Sequence, residues 1–300
     1  LFRGENDCLV DQAIKVLNIS PNPRKVLPWA GVAIALDKNN KILKQQKKKL
    51  YTFLPLPIKS NHPVHIHGWF DLNPKRTEIT HEGEGEDKEI LIEWNQKLMK
   101  EAVGSAWALL VDYIKDEKDL SSYYGLWAKN ADNELDEYLI EGFYTEISKL
   151  KSFYCLYKEK KEWCIPADNT YFFKKIKNEI LLDAFKEHFQ IILLVPVQYI
   201  AINLSNIGIE LGEITPDFIR NTLIEDSSDI EFPVALSKIP ISMLAKHGWF
   251  LEVLTYCADE GKDYSQVAGL PLELTLDQKV YNIADATLFD ETPDLQLFQN

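Results

Sequence analysis

The sequence predicts a mixed α/β or α+β fold, and three of its patterns indicate this. Short apolar runs bounded by turn residues near the start are typical of β-hairpins, and two later segments repeat apolar residues at spacings of three and four, as amphipathic helices do. Strand and helix patterns then alternate to the end of the chain. With 300 residues, of which 46% are hydrophobic, the chain has enough apolar material for a sizeable core.

Strand patterns open the chain. Residues 29–36 form a continuous apolar run, and the Asp and Asn residues that follow it are typical of a turn. We therefore expect this strand to form a hairpin with residues 50–54. Pro55 and Pro57 are expected to stop regular ladder pairing, because proline has no N–H group to donate.

A third strand and the clearest helix come next. Residues 63–70 alternate in polarity and predict a strand, while apolar residues over 91–113 share one face of a predicted helix. The charged break at residues 116–122 then marks a boundary. We divide the chain there into a first, mixed region over residues 1–118 and a second region over residues 119–300.

The second region is predicted to be mostly helical and to end in a β-hairpin. Residues 135–150 have the helical spacing, with Asp132 or Asn133 as the N-cap. A threonine followed by a proline predicts a short capped helix over residues 216–224. Residues 270–283 predict the terminal hairpin.

Composition and charge exclude several classes of protein. The net charge is −13, and although residues 1–60 are basic, this balance argues against a general nucleic-acid binder. No run of 18 uncharged apolar residues predicts a membrane span. The four cysteines have no disulfide or zinc spacing, so we expect a cytoplasmic protein. The first residue is Leu rather than Met, which predicts that the chain is a piece of a longer protein.

The familiar catalytic and phosphate-binding motifs are absent, and a histidine cluster is the remaining local feature. The sequence contains none of the patterns GxxxxGK[ST], GxGxxG, HExxH and GxSxG. On a strand, His65 and His67 share a face, and His62 lies near in sequence. Three imidazoles are able to bind zinc, so a metal-dependent enzyme that uses His62, His65 and His67 is one alternative. Surface or half-buried strand histidines without a metal are the other.

A series of short segments resembles the repeat units of sacsin. The segments are Pro28-Trp-Ala-Gly-Val32, Leu54-Pro-Leu-Pro57, Pro63-Val-His65, Gly68-Trp-Phe70, Leu72-Asn-Pro-Lys-Arg76 and Glu93-Trp-Asn95. Farther along, Leu244 to Tyr256 and then Ala268-Gly-Leu-Pro-Leu272 are similar to a helix and a hairpin of that family. The order of the segments is the family's order, and they span residues 28 to about 285.

The resemblance implies a function for the whole parent protein. Sacsin-like repeats begin with a GHKL-type ATPase domain, related to the ninety-kilodalton heat-shock chaperones, and this chain resembles the middle-domain-like segment that follows it. It implies a non-catalytic scaffold that couples nucleotide state to domain arrangement or to client proteins. The nucleotide-binding motifs of those ATPases are not found here, so ATP and Mg²⁺ are expected only on the upstream domain.

The resemblance also implies a role for one residue. Arg76 matches the family's loop arginine, which implies a contact with the γ-phosphate in the parent protein; a solvated loop arginine is the alternative. A guanidinium group there stabilises the charge that develops during phosphoryl transfer. A purely structural interaction module without any catalytic role stays open as a further alternative.

Overall fold

The computed structural model confirms a mixed α+β fold, in which the described residues form helices and three β-sheets. It describes residues 7–19, 26–39, 41–43, 48–117, 119–157, 160–167, 169–173, 181–182, 189, 191–194, 198–238, 247–258, 264–274 and 278–283. The chain forms two compact units. The first comprises Leu1–Cys155, Lys161–Asp168 and Leu193–Leu211, and the second comprises Leu156–Lys160, Asn169–Ile192 and Gly212–Asn300.

A four-stranded sheet lies in the first unit. Its strands are β1 (Ala30–Ala33), β2 (Lys48–Thr52), β3 (Leu54–Ser60) and β4 (His65–Gly68). Their order in the sheet is β1-β4-β2-β3. Strand β4 runs antiparallel to β1 and parallel to β2, and β2 pairs antiparallel with β3.

The predicted hairpin between residues 29–36 and 50–54 is therefore wrong. Strand β1 pairs with β4, and β2 pairs with the proline-containing segment that directly follows it. Pro55 and Pro57 lie within β3 rather than ending the ladder. Since β3 is an edge strand, the donors that its prolines lack are not needed by a further strand.

A long helical rod packs on this sheet. Helix α2 (Glu86–Lys97), a π-helical stretch (Leu98–Gly104) and α3 (Ser105–Ile114) follow one another without leaving the helical backbone conformation. This confirms the helix predicted over residues 91–113, although the π-helical part was not predicted. The preceding helix α1 (Asp7–Leu17) packs against α2, and the amide of Gln12 donates to the Ile90 carbonyl oxygen over 3.1 Å.

Two further helices continue the first unit. After the short α4 (Leu120–Tyr124), α5 (Glu134–Ile147) begins at Asn133, whose side chain accepts a hydrogen bond from the Asp136 amide, as an N-cap does. Helix α5 packs against the π-helical stretch and α3, so the boundary predicted at residue 118 falls inside the first unit.

The core of the first unit is rich in aromatic rings. Trp94, Trp107, Trp127 and Phe143 are fully buried, and the ring of Trp127 lies 5.6 Å from that of Phe143. Neighbouring strands β5 (Phe153–Tyr157) and β6 (Lys160–Cys164) follow α5. Helix α6 (Gln198–Asn206) packs on α5.

The second unit contains strands from two sheets together with helices. Strands β7 (Thr170–Phe173) and β9 (Gly212–Ile214) pair in parallel, and β8 (Ile191–Leu193) lies beside β7. Helix α7 (Pro216–Ser227) starts at the predicted cap, since the Thr215 side chain accepts from the Phe218 amide. Helix α8 (His247–Cys257) packs against α7.

The predicted terminal hairpin is present. It consists of β11 (Glu273–Leu274) and β12 (Lys279–Tyr281), with β10 (Val234–Ala235) on the other side of β12. Residues 275–277 of its turn lie outside the described residues. Within the described part of the chain, no helix has both the length and the apolar character that crossing a bilayer requires.

Candidate functional site

The loop that joins β4 to α2 is a short hairpin. Leu72 and Ile79 form an antiparallel bridge, and the Asn73 amide donates to the Glu78 carbonyl oxygen over 3.0 Å. The Arg76 amide donates to the Asn73 carbonyl oxygen over 2.8 Å, which closes a four-residue turn. Asparagine in the first position and proline in the second, as here, favour such a turn.

The side chain of Asn73 fastens the turn from within. Its Oδ1 atom accepts from the Thr77 amide over 2.9 Å, and its Nδ2 atom donates to the Thr77 hydroxyl over 3.0 Å. These bonds join the first residue of the turn to the residue just after it. The two bonds thereby fix the conformation of the turn that they enclose.

A buried amide in α2 holds both ends of the same loop. Asn95 has no exposed surface, and its Oδ1 atom accepts from the Asp71 amide over 2.8 Å. Its Nδ2 atom donates to the carbonyl oxygens of Asp71 and Thr80 over 3.0 and 2.8 Å. The Thr80 hydroxyl donates to the Asp71 carboxylate over 2.7 Å. A buried network in which each polar group is paired holds its parts rigidly.

The neighbouring tryptophan adds a second anchor. The indole N–H of Trp94 donates to the Trp69 carbonyl oxygen over 2.8 Å, just before the loop begins. Three segments on which the sacsin resemblance rests, at residues 68–70, 72–76 and 93–95, thus meet at this loop. The sequence identified these segments but gave no role to Asn95. Asparagine has a low helix propensity, so an asparagine inside a helix indicates that its side chain has a polar partner outside the helix.

Arg76 stands at the apex of the loop in an unusual backbone conformation. Its φ angle is +55°, in the left-handed region that residues other than glycine rarely adopt. Such a conformation costs about 1 kcal/mol for a residue with a Cβ atom. Arg76 and Lys75 are exposed, and neither forms an ion pair with any residue that the structure describes. A free guanidinium group on a rigid, strained loop is able to meet an anion without rearranging the protein.

The three histidines do not converge. His65 Nδ1 accepts from the Lys49 amide in β2 over 3.3 Å, and His67 Nε2 accepts over 3.2 Å from the amide of Phe53, the residue that follows β2. His62 instead contacts Asp136 in α5, with 2.9 Å between Nε2 and Oδ1. Burial lowers the pKa of His67, which favours its neutral ring. Within the described ranges, no three His, Cys, Asp or Glu side chains form a group able to hold a metal ion.

The contact between His62 and Asp136 was missed from the sequence. The two residues are 74 positions apart, and no spacing rule relates them. The ring of His62 also packs edge-on against Trp107, with 5.3 Å between the ring centroids. The His62 side chain therefore packs against the helices α3 and α5, while His65 and His67 lie in the sheet.

Comparison with known proteins gave no relative. No protein-family model, no curated protein and no solved structure matches this chain.

Proposed function

We propose that this chain is the non-catalytic middle and scaffold segment of a sacsin-like cytoplasmic ATPase related to the ninety-kilodalton heat-shock chaperones. In this role it couples the nucleotide state of an upstream ATPase domain to the arrangement of domains or to the binding of client proteins. One observation carries the proposal: the loop that displays Arg76 is built from the very segments that resemble the sacsin repeat.

The chemistry of the loop suits a contact with a phosphate. ATP and Mg²⁺ belong to the upstream domain in this proposal, and Arg76 reaches the γ-phosphate from outside that domain. A guanidinium group pairs with phosphate oxygens through two parallel hydrogen bonds. Because Asn95 and Asn73 already hold the loop, little conformational entropy is lost when the contact forms.

The test uses the protein with its upstream ATPase domain attached. Arg76→Ala is expected to lower kcat for ATP hydrolysis by about ten-fold or more, because it removes charge stabilisation from the transition state. The Kd for ATP is expected to stay within about two-fold. Lys38→Ala, which removes an exposed cation from another turn, is the matched control. An unchanged rate in Arg76→Ala, or an equal loss in the control, rejects the proposal.

A further inference from the structure

The four-stranded sheet of the first unit has one face toward the helical rod and one open face. In β4, Ile66 and Gly68 are buried, and a Cβ atom added at Gly68 lies 3.3 Å from the Leu98 side chain of the π-helical stretch. His65 and His67 are only half-buried and lie on the other side, because successive side chains of a strand alternate. Five side chains with aromatic rings lie on the open face, and we call them the aromatic face: Trp29, Tyr51, Phe53, His67 and Trp69.

The rings of the aromatic face form a continuous row. The ring of Trp29 lies 4.9 Å from that of His67. The ring of Phe53 lies 6.1 Å from that of His67 and 4.4 Å from that of Trp69. Phe53 is 64% exposed, and its φ angle of +67° is in the left-handed region that residues with a Cβ atom rarely adopt. An exposed ring in such a conformation is typical of a binding surface.

A groove of about 410 Å³ lies on the same face, and His67 lines it together with the small residues Gly31 and Ala33 of β1. His67 Nε2 accepts from the Phe53 amide, so in the neutral ring the proton is on Nδ1. Nδ1 is buried and has no hydrogen-bond partner in the part of the chain that the structure describes. A buried donor without an acceptor indicates that a ligand supplies one.

The open face is rich in hydrogen-bond donors and poor in acceptors. The indole N–H groups of Trp29 and Trp69 and the hydroxyl of Tyr51 are not buried and have no partner among the described residues. The four strands contain no Asp, Glu, Asn or Gln. Lys49 adds an exposed ammonium group that forms no ion pair within the described ranges. A matching ligand therefore has apolar rings, exposed acceptors, negative charge near Lys49 and few donors.

We propose that the aromatic face binds a proline-rich segment of a partner protein, in the polyproline II conformation and with acidic residues beside the prolines. The proline rings pack on the aromatic side chains, and peptide carbonyl oxygens accept from Trp29, Trp69 and Tyr51. Proline has no N–H group, so the segment brings no donors that the face is unable to pair. The acidic residues pair with Lys49. The inference rests on the sheet alone and is independent of the ATPase-linked role proposed above.

Other occupants suit the aromatic face less well. A second copy of this chain presents the same donors, so contact between two such faces leaves those donors without acceptors. A single-stranded nucleic acid brings phosphate acceptors and stacking bases, but the net charge of −13 repels it. Both occupants are outcomes of the test below.

The binding test uses fluorescein-labelled peptides, and the anisotropy is followed as the chain is added. The probe is octaproline with Asp-Asp at both ends. One comparison peptide has Lys-Lys at both ends instead, and the other keeps Asp-Asp but replaces octaproline by a Gly-Ser repeat of the same length. The probe is expected to bind with a Kd of about 100 µM or lower, about three-fold more tightly than the Lys peptide and about ten-fold more tightly than the Gly-Ser peptide.

Three results of that titration overturn the inference. They are absence of saturation at about 1 mM chain, equal binding of either comparison peptide, and tighter binding of a labelled oligothymidylate, which identifies a nucleic-acid site. Sedimentation of the chain without peptide adds a fourth result. A dimer that Phe53→Ala dissociates identifies a second copy as the occupant and likewise overturns the inference.

Variants locate the site. Phe53→Ala is expected to weaken binding of the probe about ten-fold, because it removes an exposed ring and keeps the backbone bond to His67. Tyr113→Ala is the matched control, since Tyr113 is 80% exposed but lies on α3 in the helical rod. Unchanged affinity in folded Phe53→Ala, or an equal loss in Tyr113→Ala, overturns the inference.

Two further variants separate the charge from the hydrogen bonds. Lys49→Gln is expected to weaken binding of the probe about three-fold without weakening that of the Lys peptide. Tyr51→Phe removes one hydroxyl donor and is expected to weaken binding of the probe about three-fold. If circular dichroism shows Phe53→Ala unfolded, these two variants decide, and unchanged affinity in both of them overturns the inference.

Discussion

One buried side chain, that of Asn95, forms hydrogen bonds with three backbone groups at the two ends of the loop that joins β4 to α2 and carries Arg76. Asn95→Ala leaves a donor and two acceptors buried without partners. The free energy of unfolding is therefore expected to fall by about 2–4 kcal/mol. Urea denaturation of the chain, followed by tryptophan fluorescence, measures this change.

The neighbouring Gln96 supplies the control for that measurement. Its amide contacts Glu134 at the surface, so Gln96→Ala is expected to change stability by less than about 0.5 kcal/mol. Similar losses in Asn95→Ala and Gln96→Ala contradict a special role for the Asn95 network.

The left-handed backbone of Arg76 makes a second prediction at the residue scale. Glycine adopts a φ angle of +55° without a Cβ clash, whereas alanine does not. Arg76→Gly is therefore expected to be about 0.5–1 kcal/mol more stable than Arg76→Ala. Thermal denaturation of both variants checks the order, and a more stable alanine variant contradicts the left-handed conformation.

Single residues also show where the sequence stops being informative. The caps Asn133 and Thr215 were predicted because an N-cap acts on amides two or three positions away. The partners of His62 and Asn95 lie 74 and 15–24 positions away and were not predicted. The proposed role of Arg76 came from the resemblance, and no contact in this chain tests it.

Among the elements, α5 crosses the π-helical stretch at very close range, at Gly142. A Cβ atom added at Gly142 lies 1.9 Å from the Lys100 carbonyl oxygen, which is backbone and cannot move aside. Gly142→Ala is expected to cost about 3 kcal/mol or more, because the two helices must separate. Thermal denaturation of the chain measures this loss.

Gly31 in strand β1 provides the comparison. A Cβ atom there meets only the Trp29 ring, at an ordinary 3.9 Å. Gly31→Ala is expected to leave stability unchanged or to raise it by up to about 1 kcal/mol. Equal effects of the two substitutions contradict the close helix crossing.

The elements were predicted well where their pattern is local and poorly where pairing is distant. The helical spacing of residues 91–113 is a property of one segment, and the structure has a helix there. The choice of strand partners depends on the whole sheet. The residues of the turn after β1 do not indicate that β2 pairs in parallel with β4. The short hairpin favoured by turn residues was therefore the wrong pairing.

For the whole molecule, buried tyrosines predict instability in alkali. Burial raises the pKa of Tyr199 to about 12, and it also raises the pKa values of Tyr123, Tyr124 and Tyr144. In the unfolded chain these phenols ionise near pH 10. Stability is therefore fully present below about pH 10 and is lost as the pH rises toward 12, because only the unfolded state releases these protons readily.

Absorbance at 295 nm and circular dichroism, recorded together against pH, check this prediction. Part of the tyrosine absorbance is expected to appear only as helical signal is lost. Tyr199→Phe is expected to lose less stability than the original chain between about pH 10 and 12, since one raised pKa has been removed. Complete tyrosine ionisation with the helical signal intact contradicts the burial of these rings.

The first unit draws on three separate stretches of chain, the last ending at Leu211. A ribosome that has translated Cys155 has synthesised α5 but not yet α6, whose Tyr199 and Asn203 bond to the carbonyl oxygens of Tyr124 and Lys129. Folding of this unit during synthesis therefore has to wait for more than 50 further residues, the interval from Cys155 to Leu211. Throughout that delay the nascent chain exposes apolar surface that the completed unit buries. Chaperones that bind nascent chains protect such surface from aggregation.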